Sequence, residues 1–312
     1  MDNQKKAVVV GGSNGIGLAI SKELIERGYY LEICDRSGPD EGVLDQNSYH
    51  HNYCDLLDFD EELFYSLAAD ESVDLLMVTA GIGRVADFQY HHTAEIEKML
   101  TVDTVSTLKI FRIFYDRIMK DKTFYTGVMG SISGWMSTPS AAVYAAAKAG
   151  VVRFVESVNI ELEAYGSNNR ILDVSPASFK GSKFYGGKND LSITGPLAEQ
   201  ILEHLFSRDT RFIPQYEETF KAVLERYAAD PHEYGLHSYE YKKESEFRKL
   251  LEDYVTIDSV KKAVQRAEKL MNHKKDLGIS WIEYKGVIFY AENPALSVHK
   301  VVKLILEICE VR

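Results

Sequence analysis

Cysteine is scarce in this chain: Cys34, Cys54 and Cys309 are the three among 312 residues. An odd, widely spread set does not build the disulfide framework of a secreted scaffold and points to a reducing compartment, the cytoplasm. Positive charge is also short. Lys plus Arg number 36 against 47 Asp plus Glu, a net charge of −11, which argues against nucleic acid or an anionic membrane surface as the main partner. No stretch reaches the roughly 18 apolar residues of a membrane-crossing helix. The apolar start KKAVVVGGSNGIGLAI is interrupted by Ser13 and Asn14 and has no small-residue cleavage site after it, so it does not read as a leader. Metal-ligand spacing is missing as well. His50–His51, His91–His92, His232 and His237 make no His-x-x-x-His, no Cys-x-x-Cys exists, and no metal site is expected.

What is present is strand–helix alternation. AVVV (7–10), YYLEIC (29–34), VDLLMVT (73–79), FYTGVMG (124–130) and RILDVS (170–175) read as strands, several continuously apolar as parallel strands buried on both faces are. Helical patterns at 15–27, 59–69, 94–119 and 142–165 lie between them. The expectation is an α/β fold with a doubly wound, mostly parallel Rossmann sheet of about seven strands. From about Gly195 the pattern becomes helical through 277, with no convincing strand, before GVIFYA (286–291) gives a last strand and 297–308 a last helix. Three parts follow: a dinucleotide-binding and catalytic core over 1–195, a helical insertion over 196–285, and a final strand and helix over 286–312 that complete the core.

Between the first strand and first helix stand Gly11, Ser13, Asn14, Gly15, Ile16 and Gly17. Glycines there allow a tight turn and close approach of backbone to a phosphate, and the helix start offers free N–H groups and a positive dipole end. Asp35 ends the second strand 18 residues after Gly17, where a carboxylate accepts both hydroxyls of an adenosine ribose and repels a 2′-phosphate. The adjacent Arg36 is able to attract that phosphate. NAD is therefore expected ahead of NADP.

VYAAAKAGVV sets Tyr144 and Lys148 four apart on an Ala-rich helix, so the side chains are neighbours. An ammonium beside a phenol favours the phenolate, as an acid/base near neutral pH requires. Ser131 lies thirteen residues before Tyr144. These pieces together resemble the short-chain dehydrogenase/reductase family over about residues 5–195, plus the last strand. The resemblance implies that Tyr144 exchanges a proton with the substrate oxygen, that Lys148 assists it and holds the nicotinamide ribose, and that Ser131 hydrogen-bonds the substrate oxygen. It further implies that Asp55 and Leu56 of CDL hold the adenine, that Ala80 and Gly81 of TAG support the cofactor, and that Pro176, Ala177 and Phe179 of SPASFKGS receive the nicotinamide. The chain departs from the family pattern at Asp103, where an Asn usually holds a water beside the lysine. It also departs at Thr79 for Asn, Val10 for Thr and Ala177 for Gly.

The function expected is an NAD-dependent oxidoreductase that interconverts a secondary alcohol and a ketone. The alternatives are an NADP-dependent carbonyl reductase, which Arg36 permits, and a non-catalytic dinucleotide sensor, against which stands the presence of Ser131, Tyr144 and Lys148. The substrate expected is a small-molecule alcohol or ketone, whether a sugar, polyol, steroid or other secondary alcohol, and family practice implies a homodimer or homotetramer through 94–119 and 142–165. The aromatic-rich segment after Ser178, with Gly186–Gly187 and Gly195–Pro196 as hinges, is expected to form a lid over the site.

Overall fold

The computed structural model describes residues 4–121, 123–179, 181–185, 187–254, 281–284 and 287–290. The chain divides into two compact units, the first ending at Gly235 and the second beginning at Leu236. In the first unit the elements run β1 (Lys6–Val10), α1 (Gly15–Glu26), β2 (Tyr30–Asp35), β3 (Tyr49–Tyr53), α2 (Glu61–Ala69), β4 (Val73–Val78) and α3 (Thr93–Leu100). They continue with α4 (Ser106–Lys120), β5 (Tyr125–Met129), α5 (Ala142–Ala164), β6 (Ile171–Val174), α6 (Leu191–Phe206), β7 (Arg211–Phe212) and α7 (Lys221–Ala229). Helix α8 spans Pro231–Tyr254, and β8 (Trp281–Tyr284) and β9 (Val287–Tyr290) belong to the second unit.

The seven strands of the first unit form one parallel sheet in the order β3-β2-β1-β4-β5-β6-β7. The order reverses beside β1, and it is at such a switch point that α/β sheets open a crevice at the carboxyl ends of their strands. Because side chains alternate across each strand, the apolar runs feed two cores. Ala7, Val9, Leu75 and Met77 pack with Leu18, Leu24, Ile201 and Leu205 of α1 and α6. Val8, Val10, Leu76 and Val78 pack with Phe111, Phe114, Val151 and Leu162 of α4 and α5.

Two strands of this sheet had no signal in the sequence. β3 reads YHHNY, half-exposed and polar, because it is an edge strand with one side open to water. β7 is two residues long at the opposite edge. The seventh place in the sheet, expected for 286–291, is taken by β7, since α6 returns the chain alongside β6 within a few residues. Val287–Tyr290 pairs antiparallel with Trp281–Tyr284 instead. The helical run from 197 accordingly starts inside the first unit's core: α6 buries Leu197, Ala198, Ile201, Leu202 and Leu205. Gly195 and Pro196, read from the sequence as a hinge, lie within that helix. Gly186 and the helix expected at 297–308 lie outside the described residues.

Candidate active site

The glycine turn closes on backbone. A Cβ on Gly11 would meet the Ala80 nitrogen at 2.5 Å and Thr79 Oγ1 at 2.9 Å, and one on Gly17 would meet the Gly11 carbonyl oxygen and Thr79 Oγ1. Thr79 Oγ1 donates to the Val10 and Gly11 carbonyls, at 3.0 and 3.1 Å, which fastens the turn to the end of β4. Gly11 and Gly15 have φ of +84° and +56°, conformations that L side chains rarely adopt. Helix α1 begins directly after this turn, at Gly15. Asp35, at the tip of β2, faces the same turn. Its Oδ2 accepts from the Ser13 N–H at 3.2 Å and its Oδ1 from the Arg36 N–H at 2.7 Å.

The catalytic candidates arrive from β5, α5 and the helical rod that runs from Thr93 to Lys120. The rod is loosened at Thr101–Val105 into a π turn, a feature often found at functional sites. Asp103 sits on that turn, fully buried, and its Oδ1 accepts from the Ile82 N–H at 2.8 Å. Lys148 Nζ lies 3.8 Å from Asp103 Oδ2 and donates to the Met129 carbonyl at 3.0 Å. It also stands 5.8 Å from the centre of the Tyr144 ring. Burial pushes the Asp103 carboxyl up, while Lys148 and the Ile82 N–H pull it back. Ser131 begins a short turn after β5, and its Oγ accepts from the Ser133 N–H at 3.2 Å. Phe184 packs against Tyr144 with ring centres 5.9 Å apart.

These groups share one cavity of about 440 Å³. Its wall includes Gly11, Asn14, Gly15, Ile16 and Gly17 from the turn, Asp35 and Arg36, Asp55 and Leu56, Ala80 and Gly81, then Ser131, Tyr144 and Lys148, and finally Pro176, Ala177 and Phe179. Of the residues picked out by motif, Ser13 and Asp103 stand behind this wall: Ser13 holds Asp35, and Asp103 faces Lys148. Cys34 and Cys54 also line the cavity as free thiols; burial pushes both up, Cys54 to about 11, so neither is a ready nucleophile. Among the described residues no group of His, Cys, Asp and Glu is arranged to hold a metal ion, and no helix is long and apolar enough to cross a membrane.

Motif reading missed the contacts of the segment after β6. Asn189 Oδ1 accepts from the Gly15 N–H at 2.9 Å, and Lys183 pairs with Asp40 at 3.2 Å. Neither residue belongs to a repeating spacing, and only the return of the chain brings Asn189 to the glycine turn and Lys183 to the loop after β2.

The cradle fits a dinucleotide. Glycines that leave no room for a Cβ, a helix start at the turn and a strand-end carboxylate are the donor set and shape that a pyrophosphate and ribose demand. Comparison with known proteins agrees. The family described as short chain dehydrogenase matches residues 5–185. Dehydrogenase RED2 of Cochliobolus heterostrophus is 30% identical over 166 residues, 51% of this chain and 62% of that protein. The 3-oxoacyl-[acyl-carrier-protein] reductase MabA of Mycobacterium tuberculosis is 26% identical over 162 residues, 51% of this chain and 63% of the relative. The matched region thus spans about three fifths of these relatives' length. Among solved structures, a short chain dehydrogenase from Burkholderia cenocepacia in complex with NADP superposes with a TM-score of 0.60 at 20% identity, covering 76% of this chain and 99% of the other. With the parallel sheet, the glycine turn and the Ser131, Tyr144 and Lys148 wall in one cavity, this chain belongs to the short chain dehydrogenase family.

Proposed function

We propose that the protein is a nicotinamide-dependent oxidoreductase that interconverts a secondary alcohol and a ketone. The observation that carries the reading is the convergence of Ser131, Tyr144 and Lys148 on the cavity that the glycine turn and Asp35 also line. A bound nicotinamide dinucleotide supplies the hydride acceptor or donor. The chain's own residues handle the proton and the orientation. Tyr144 gives a proton to, or takes one from, the substrate oxygen. Ser131 donates to the same oxygen and stabilises charge that develops there. Lys148, within reach of the Tyr144 ring, favours the phenolate. Asp103 takes the place of the family's usual Asn behind Lys148, and its Oδ2 faces the lysine ammonium. Gly11, Gly15 and Gly17 hold the pyrophosphate, Asp55 and Leu56 the adenine, and Pro176, Ala177 and Phe179 the nicotinamide end.

Asp35 supports NAD as the preferred cofactor, because its carboxylate repels a 2′-phosphate. A second reading, an NADP-dependent carbonyl reductase, is favoured by Arg36 and Lys183, which line the same cavity, and by the NADP in the Burkholderia cenocepacia relative. The free thiols Cys34 and Cys54 suit a reducing, cytoplasmic setting. We infer that the aromatic-rich segment after Ser178 closes over the site as a lid; its Asn189 and Phe184 touch the glycine turn and Tyr144. A screen of secondary alcohols with NAD and with NADP, read by absorbance of the reduced cofactor, tests the activity. The Tyr144→Phe variant tests the assignment: turnover is expected to fall by about two orders of magnitude or more, with cofactor affinity unchanged. Near-full activity of that variant on the best substrate would exclude Tyr144 as the acid/base.

A further inference from the structure

A buried carboxylate under the catalytic turn has no part in the chemistry above. Asp173 sits in β6, 2% exposed, between β5 and β7. An ionised side chain in such a place costs free energy unless hydrogen bonds compensate it. Asp173 has these. Its Oδ1 accepts from Ser175 Oγ at 2.8 Å, and its Oδ2 accepts from the Trp135 indole Nε1–H at 3.3 Å. The same indole N–H is shared with Ser175 Oγ at 3.1 Å. The carboxylate also claims space: a Cβ on Gly130, the residue just before Ser131, would run into Asp173 Oδ1.

Trp135 ends the turn that Ser131 begins, and its N–H donates to the Ile132 carbonyl at 3.0 Å. From the middle of that turn the Ile132 N–H donates to the Pro176 carbonyl at 3.1 Å. The turn bearing Ser131 is thus tied to the end of β6 at two points, once through Pro176 and once through the Trp135, Ser175 and Asp173 cluster. Two guanidiniums flank the indole ring: Arg211 of β7 at 4.8 Å from its centre and Arg153 of α5 at 5.7 Å.

We propose that Asp173 is a positioning residue: through Ser175 and Trp135 its carboxylate sets the Ser131 turn in register with Pro176, and so the serine hydroxyl against the nicotinamide end of the cavity. This rests on the oxidoreductase reading above. The charged groups that face Asp173 are Arg211 from β7 and Lys148 from α5, with Ser175 of β6 and Trp135 of the turn as its hydrogen-bond donors. Burial pushes the carboxyl up to about 6, while Ser175, Trp135, Arg211 and Lys148 act against it. The group therefore changes charge just below neutral pH. As the carboxylate it accepts a charge-assisted bond from the indole at 3.3 Å, shared with Ser175 Oγ at 3.1 Å. Once protonated it loses that strength and its attraction for Arg211, and the turn loosens.

The chain has two tryptophans, so the Trp135 indole N–H resonance is assigned by comparison with a Trp135→Phe variant. In the full chain, titrated between about pH 5 and 8, that resonance is expected to move with a midpoint near 6, and to stay flat in Asp173→Asn. Saturating NAD is expected to lower the midpoint, because a cofactor that favours the ordered turn must favour the carboxylate in return. With the best alcohol from the screen, kcat should show an acidic limb at the midpoint found with NAD bound. Asp173→Asn should remove that limb and lower kcat about tenfold, with KM for the cofactor changed less than about twofold. Trp135→Phe should lower kcat by a similar factor, and the double variant should be no worse than the poorer single one. A resonance that does not titrate, a midpoint indifferent to NAD, or an Asp173→Asn variant with normal kcat and its acidic limb intact would each overturn the proposal. If the wild type turns over no alcohol, the oxidoreductase reading falls, and the NAD-dependence of the indole midpoint still decides whether Asp173 couples the turn to the cofactor end.

Discussion

At the scale of single residues, two carboxylates, Asp35 in the cavity wall and Asp173 buried in β6, make different demands on the fold. Asp35 is held by backbone N–H groups from Ser13 and Arg36, so its orientation is built into the glycine turn and does not depend on a side-chain partner. Replacing it by Ala removes the ribose acceptors and the repulsion of a 2′-phosphate, and leaves Arg36 in place. The dissociation constant for NAD is expected to rise and that for NADP to fall, about tenfold each, in a binding titration of both cofactors; a wild type that already prefers NADP would contradict the role given to Asp35. Asp173 is held by side chains in a dry interior, and its raised carboxyl has a consequence for stability. A carboxyl that keeps its proton up to about 6 when folded, against 3.8 ordinarily, binds that proton more tightly in the folded state. Its contribution is therefore most favourable below about pH 4, is lost as pH rises to about 6, and is constant above; the loss is about 3 kcal/mol. Asp173→Asn escapes it. Urea melts at about pH 8 are expected to show the variant more stable than the wild type, with the difference shrinking or reversing near pH 4. A variant less stable at pH 8 would show that the carboxylate's hydrogen bonds outweigh its burial. Stability gained together with turnover lost is the usual trade at a site built for positioning.

At the scale of elements, the helices and strands divide between those that carry the site and those that cover it. The rod from Thr93 to Lys120 carries its π turn where Asp103 faces Lys148, and α5 presents Tyr144 and Lys148 one turn apart with Ala residues beside them. Small side chains on that helix let it lie close to the π turn, as the 2.9 Å bond from Thr104 Oγ1 to the Ala147 carbonyl shows. The segment between β6 and α6 is of the second kind. It meets the glycine turn through Asn189, the loop after β2 through Lys183 and Asp40, and the Tyr144 ring through Phe184. Among its described residues Lys183 and Phe184 are exposed, as the surface segments from which lids are drawn are. Amide hydrogen exchange over 181–190 is expected to slow when NAD and a substrate analogue are added together. Complete protection without either ligand, unchanged by both, would make the segment a fixed wall of the cavity.

At the scale of the whole molecule, the sequence reading expected pairing through the surplus apolar residues of KIFRIFYDRIM. The structure spends those residues inward: Ile110, Phe111, Phe114 and Ile118 are all buried in the core beneath α4. The large apolar side chains left exposed along 94–119 and 142–165 are Leu100, Val105 and Ile160, with Tyr165 at the end of α5. We retain at least a homodimer as the expected assembly, with these residues as the contact. Light scattering at micromolar concentration checks it, and an Ile160→Asp variant should shift the protein toward monomer if that face is the interface. A monomeric wild type would leave the exposed side chains as ordinary surface.

The parts of this molecule that the sequence determined are those in which the physical requirement is local. Continuous apolar runs must be buried on both faces, so β1, β4 and the parallel, doubly wound sheet are legible from a few residues each. A tight strand-to-helix turn needs glycine at fixed places, so Gly11, Gly15 and Gly17 mark it. Two side chains four apart on a helix are neighbours in any fold, so Tyr144 and Lys148 announce themselves. The tertiary structure decided what depends on the chain returning to itself. YHHNY is a strand because β2 offers it an edge, and nothing in its own pattern says so. Arg211–Phe212 takes the seventh place in the sheet because α6 packs on α1 and delivers it beside β6, and Val287–Tyr290 pairs with Trp281–Tyr284. Asp173 meets Trp135 across 38 residues, and Asn189 meets Gly15 across 174. Such long-range pairs follow no periodicity, because their spacing in sequence is fixed by the lengths of the elements between them and not by the contact they make.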